Sequence, residues 1–180
     1  IGLFKLTATD GCNNNEISNN NISIQRANTF AAAGIIPGGA TSIIMANSIH
    51  ANASAPLTPT SVSGANSFNT FYNNYSVGGL NGIVLSGYSG GASPYTFADY
   101  SNLVNSNSIY RFGTNGAISN IAQGINTSNQ FEVRIDYNSI DNSYGTGINH
   151  IYNLIGIIAN GTTATNPIIC NNIIKLQSGS

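Results

Sequence analysis

Charge is what this sequence has least of. Asp, Glu, Lys and Arg make up 6 % of its 180 residues, against about 25 % in an average soluble domain. Asparagine, serine, threonine and glycine take over the surface role. Five basic and six acidic side chains leave a formal net charge of −1. Such a chain presents no electrostatic footprint to nucleic acid or to an anionic membrane, and neither is expected as a partner. Long apolar runs are missing as well. The windows around Ile35 and from Leu154 to Ala159 fall far short of the roughly 20 residues of a spanning helix, so no membrane span is expected. The opening IGLFKLTATD lacks a basic stretch, a long apolar run and an initiator methionine, which reads as a mature product or an excised piece.

Helix signals are also lacking. Glycine, asparagine, proline and serine interrupt every candidate helix, and no 3.6-residue apolar stripe lasts a dozen positions. Abundant isoleucine, nine tyrosines and seven phenylalanines separate the chain from disordered polar sequences, which are poor in such residues. The expectation is an all-β fold, with residues 1–180 forming a single body.

What is present is repetition. A β-branched residue, two variable positions, an asparagine, one more position and an isoleucine recur along the chain. The copies are ISNNNI with Asn20, IMANSI with Asn47, VNSNSI with Asn107, IDYNSI with Asn138 and IICNNI with Asn171; TFYNNY with Asn73 is a weaker sixth. Successive anchors lie 27, 26, 34, 31 and 33 residues apart. Nine residues after three anchors a glycine opens a strand-like run: Gly82 in GIVLSG, Gly116 in GAISNI and Gly147 in GINHIY. Short apolar strands, an inward asparagine at a bend and a period near 30 residues suit a coil of three strands and three turns stacked on copies of itself. Equivalent strands then pair in parallel about 4.8 Å apart. The isoleucines form interior stacks. Asn20, Asn47, Asn73, Asn107, Asn138 and Asn171 are predicted to form a ladder of amides, each donating to one neighbour and accepting from the other.

These anchors, the glycine-isoleucine runs and the Asn/Gly-rich turns resemble the right-handed parallel β-helix, the pectin-lyase-like solenoid. The wording of NSIY, NNYSVGGLNGIVL and NSIDNSYGTGIN is similar to that of long β-helical surface proteins that Bacteroidetes bacteria export through their type IX secretion system. The resemblance spans Ile17 to Leu176. It implies a right-handed parallel β-helix (solenoid) of about five to six turns with an Asn ladder, at an extracellular or cell-surface location.

The residues with chemical potential are few. In FEVRIDYNSI, strand alternation places Phe131, Val133, Ile135 and Tyr137 inward and Glu132, Arg134 and Asp136 outward, the latter as an exposed ion-pair row. Pectin-lyase-like enzymes carry carboxylates clustered across neighbouring turns, for calcium or as an acid and base pair. Here Asp141 is followed in register by no acidic residue, and Asp10, Glu16 and Asp99 stand apart. His50 and His150 are about three turns apart and are read as separate exposed side chains. Cys12 and Cys170, about five turns or 24 Å apart, exceed the roughly 7 Å that a disulfide tolerates between Cα atoms and are expected to be free. No catalytic residue, metal ligand or cofactor site is assigned.

The leading reading is a non-enzymatic stalk, adhesin or surface-filament segment, part of a longer chain or stacked end to end. The insertions AAAGIIPGGA and NASAPLTPTSVSGA are its expected contact loops. The alternative is a carbohydrate-binding or carbohydrate-cleaving β-helix, with Tyr88, Tyr95, Tyr110, Tyr137 and Tyr144 as planar surfaces for sugar rings. A third reading is a passenger or partner held by a larger secretion or motility complex.

Overall fold

A three-residue strand has room for one inward side chain, and this protein uses that minimum repeatedly. The computed structural model describes residues 1–24, 40–50 without 50 itself, 57–88, 97–114, 121–145, 150, 152–161 and 165–178. The strands are β1 (Gly2–Lys5), β2 (Glu16–Ser18), β3 (Asn21–Ile24), β4 (Thr41–Ile49), β5 (Thr70–Tyr72), β6 (Tyr75–Gly78) and β7 (Asn81–Ser86). They continue as β8 (Asp99–Tyr100), β9 (Leu103–Asn105), β10 (Ser108–Tyr110), β11 (Ala122–Ser128), β12 (Gln130–Phe131), β13 (Arg134–Asp136), β14 (Ser139–Asp141), β15 (Leu154–Asn160), β16 (Ile168–Cys170) and β17 (Ile173–Lys175).

Three five-stranded sheets run the length of the molecule. One has the order β1-β4-β7-β11-β15, the second β2-β5-β9-β13-β16 and the third β3-β6-β10-β14-β17; β8 and β12 form a short fourth ladder. Every neighbouring pair in these sheets is parallel. Each circuit visits the three sheets in turn and returns one strand further along, so the fold is a parallel β-helix of five layers.

Register turns the repeat into columns. Ile17, Phe71, Val104, Ile135 and Ile169 stack in the second sheet. Ile22, Ser76, Ile109, Ile140 and Ile174 stack in the third. The longer strands of the first sheet add Ile43, Ile83, Ile125 and Ile157. The apolar middle members of these columns are fully buried and meet in one core with Met45, Leu80, Leu85, Phe112 and Val133. Burying an isoleucine or phenylalanine of this kind contributes about 1.5–3 kcal/mol.

Glycine has a packing role where two sheets approach. Gly82, Gly124 and Gly156 precede the stacked Ile83, Ile125 and Ile157. A Cβ on them would lie 2.5, 2.6 and 2.5 Å from Cγ2 of Ile109, Ile140 and Ile174 respectively, so the missing side chain lets the isoleucines of the third sheet fill the space. Of the glycines predicted to be equivalent, Gly82 is in this column, whereas Gly116 and Gly147 lie outside the described residues.

The corners are set by two columns of left-handed residues. Asn14, Phe68, Ser101, Glu132 and Asn166 have φ between 44° and 60°, as do Asn19, Asn73, Ser106, Tyr137 and Asn171. Within each circuit the two corners are five residues apart and enclose a strand of the second sheet. In the first four layers each corner N–H donates to the next layer, as in Phe68 to Tyr100 O at 2.9 Å, Ser101 to Phe131 O at 2.9 Å, Asn73 to Asn105 O and Ser106 to Asp136 O at 3.1 Å. Asparagine tolerates this conformation better than other residues with a Cβ, and five of these ten corners carry it.

The ladder departs from the predicted positions at three of six places. Asn20, Asn74, Asn107, Asn138 and Asn172 form the continuous file. Asn73 and Asn171 are instead the left-handed corners immediately before it, Asn73 being exposed and donating to Asn19 Oδ1. Asn47 lies in β4 of the first sheet, where its Nδ2 donates to Leu57 O at 2.8 Å. The ladder steps are 54, 33, 31 and 34 residues. The first circuit is therefore one long coil where the motif count implied two.

Candidate functional site

The asparagines that recur at the bends are occupied by the fold itself. Backbone N and side-chain Nδ2 of each donate to Oδ1 of the next: Asn74 to Asn107 at 3.0 and 2.9 Å, Asn107 to Asn138 at 2.9 and 3.0 Å, Asn138 to Asn172 at 2.9 Å each. Nδ2 also reaches back to the previous layer, from Asn107 to Phe71 O and from Asn138 to Val104 O. Every polar atom of a central amide thus has a protein partner.

A second file runs five residues earlier. Asn15 donates to Asn69 Oδ1 at 3.0 Å, and Asn69 donates to Asn102 Oδ1. The following position is the apolar Val133, and Asn102 Nδ2 turns to Gln130 Oε1 at 2.7 Å. A third file ends on a charge. Cys12 N donates to Asn66 Oδ1 at 2.9 Å, Asn66 N donates to Asp99 Oδ1 at 2.8 Å, and Gln130 Nε2 donates to Asp99 Oδ2 at 3.0 Å. Asp99 is completely buried. Burial pushes its carboxyl up to about 6, against the opposing pull of the Asn66 and Gln130 bonds and of the Lys5 charge. Lys5 is itself buried, with no hydrogen-bond partner for Nζ among the described residues, and burial lowers its pKa while Asp99 and Cys12 raise it. Cys12 and Cys170 are free thiols.

The outward face near residue 134 mixes charged, polar and apolar side chains. A shallow groove of about 450 Å³ is bordered by Ser101, Leu103, Glu132, Arg134, Asn166 and Ile168. Glu132 and Tyr137 are corners, which breaks the simple alternation: Phe131, Val133 and Ile135 are buried as predicted, but Tyr137 is 58 % exposed. Asp136 points outward yet is buried, because Arg134 Nε closes over its Oδ2 at 2.6 Å and Asn105 Nδ2 donates to Oδ1. Glu132 is the carboxylate left on the groove, and it raises the pKa of the neighbouring Tyr100 hydroxyl by hydrogen bonding. Among the described residues no three His, Cys, Asp or Glu side chains converge.

The tyrosines proposed for sugar contact divide. Tyr110 and Tyr144 stack at 4.8 Å and 14°, and Tyr75, which the sequence reading did not single out, meets Tyr110 edge-on at 5.6 Å. Tyr88 is half-buried, Tyr137 stands at its separate corner and Tyr95 lies outside the described residues. His150 is buried, in contrast to the exposed position predicted for it. It packs on Gly113 and its Nδ1 accepts from Thr114 N at 3.4 Å. His50, AAAGIIPGG and residues 51–56 also lie outside the described residues.

No protein-family profile, curated protein or solved structure matches the chain.

Proposed function

We propose that the protein is a non-enzymatic extracellular scaffold, a β-solenoid segment serving as stalk, adhesin or surface-filament body of a secreted bacterial protein. The observation that carries this reading is the use of polar side chains between layers. Asn74, Asn107 and Asn138 bind the preceding and following coils with their buried amides. Neutral amides do this without the desolvation cost of buried charges. The pectin-lyase-like character, and the likeness of the motifs to surface proteins exported by the type IX system of Bacteroidetes, belong to this proposal, as does the extracellular location.

The row formed by Tyr75, Tyr110 and Tyr144 favours a second reading, a carbohydrate-binding or carbohydrate-cleaving β-helix. Aromatic faces suit the apolar faces of sugar rings. Incubation with acidic and neutral polysaccharides, with and without calcium, separates the two. The scaffold reading expects no product; release of oligosaccharides overturns it. Saturable binding without cleavage, lost on Tyr144→Ala, identifies an adhesin.

A further inference from the structure

Two corner residues stand where the backbone least favours them, and both are on the same face. In the left-handed column Asn14, Phe68, Ser101, Glu132 and Asn166, φ is 60° at Phe68 and 50° at Glu132. Asparagine adopts this conformation readily, whereas a bulky side chain there is an outlier. Phe68 is 54 % exposed and Glu132 is exposed as well, so burial in a core does not hold either in place. Strain that the packing does not require points to a task at the surface.

Tyr100 joins the two. Its ring lies 6.2 Å from that of Phe68 at a tilt of 57°, and its hydroxyl is hydrogen-bonded to Glu132. Phe68, Tyr100 and Glu132 form a string across the second, third and fourth layers, with a further layer on either side. This face looks outward from the stack, so coils added along the axis would extend it and not cover it. The groove of about 450 Å³ opens beside the string, a size within the range of about 300–1,000 Å³ found for small-molecule sites. On it Arg134 commits Nε to Asp136 and keeps half of its side chain exposed, which leaves terminal N–H groups for a ligand. Glu132, two residues away, has no salt-bridge partner among the described residues. Ser101 and Asn166 add neutral polar groups, and Leu103 and Ile168 an apolar floor.

We propose that this groove binds a neutral saccharide, with Glu132 accepting from its hydroxyl groups, Arg134 donating to them, and the rings of Tyr100 and Phe68 against a sugar face. The charges select the ligand. An anion would meet Glu132, a cation would meet Arg134, and an apolar chain would leave both without partners. A polyhydroxyl compound presents donors and acceptors together, and adjacent hydroxyls match the paired oxygens of a carboxylate and the fork of a guanidinium. Aromatic rings suit the C–H faces of sugars. The site is separate from the row of Tyr75, Tyr110 and Tyr144, which lies on the third sheet and the turn after it. It deepens the adhesin form of the scaffold reading and rests on that reading for its biological sense.

Titration calorimetry of the whole chain with neutral hexasaccharides of glucose, mannose, galactose and xylose tests the site. Saturable binding of at least one is expected, weakened about tenfold or more by Glu132→Asn and by Phe68→Asn. Both substitutions place the favoured residue at the corner, so the urea midpoint is expected to rise as affinity falls; a residue that served only the fold would lower it. The proposal is overturned if none of the saccharides binds, if both corner variants bind as the unmodified chain does, or if their midpoints fall together with affinity. Binding lost in Tyr144→Ala but kept in the corner variants would place the sugar on the tyrosine row and overturn it too. Release of shorter sugars during the titration would overturn the non-enzymatic reading without moving the site, whereas failure of the site leaves the amide files that carry the scaffold reading intact.

Discussion

The backbone N–H and Nδ2 of Asn107 both point at one atom, Oδ1 of Asn138, at 2.9 and 3.0 Å. The pair is 31 residues apart in sequence and one layer apart in space. Asn107 Oδ1 in turn receives both donors of Asn74. A single amide thus joins three layers.

Asn107→Ala removes the acceptor for two buried donors of Asn74 and the Nδ2 bonds to Phe71 O and Asn138. The expected loss is about 1–3 kcal/mol for each buried group left unsatisfied. Asn73→Ala, one residue before the ladder, is exposed and loses one side-chain bond and a favourable corner residue. Its loss is expected to be about 1 kcal/mol. Urea denaturation of both variants checks the order, and equal effects would remove the ladder from the explanation of stability.

Asp99 gives stability a pH dependence. Its folded-state value of about 6 lies above the ordinary unfolded value of about 3.9. The folded protein therefore holds the proton more tightly over that interval. The contribution of this group is most favourable below about pH 4, declines as pH rises to about 6 and is flat above, a total change of about 3 kcal/mol. Asp99→Asn is expected to abolish this part of the slope. Denaturation of both proteins at several values between pH 4 and pH 7 measures the difference.

Gly124→Ala places a Cβ 2.6 Å from both Gly156 O and Ile140 Cγ2. One contact is backbone and cannot yield without disturbing the pairing of β11 with β15. The expected cost is about 1–3 kcal/mol, read as a lower denaturation midpoint.

Lys5→Met removes a buried ammonium whose Nζ has no hydrogen-bond partner among the described residues, while keeping an unbranched side chain of similar length. The variant is expected to be more stable by about 1–3 kcal/mol at neutral pH. A decrease measured by thermal unfolding would mean that the attraction between Lys5 and Asp99 outweighs the cost of burying the charge.

The architecture was legible because isoleucine and asparagine alternate at spacings that only stacking explains. The phase was less so, for a physical reason. A left-handed corner and a ladder position both favour asparagine, and they are adjacent. In FYNNY and IICNN the first asparagine is the corner and the second the ladder member. IMANSI imitates the anchor because β4 of the first sheet happens to carry Ile44, Asn47 and Ile49 at the same spacing. The five-residue interval from Asn15 to Asn20, Asn69 to Asn74 and Asn102 to Asn107 was the signal that would have set the phase and exposed the second file. The glycine column was readable in GIVLS, GINTS and GIIAN, where Gly82, Gly124 and Gly156 each precede an isoleucine. The burial of Asp136 and His150 was not readable, since each depends on a residue from another layer or loop folding over it.

Each layer leans only on the two beside it, through backbone pairing and one-directional amide files. Under tension applied across the outermost strands, resistance is met locally: an end coil peels while those behind it keep their full set of partners. The molecule accordingly yields in small increments, dissipating load over its whole length instead of failing at one brittle point.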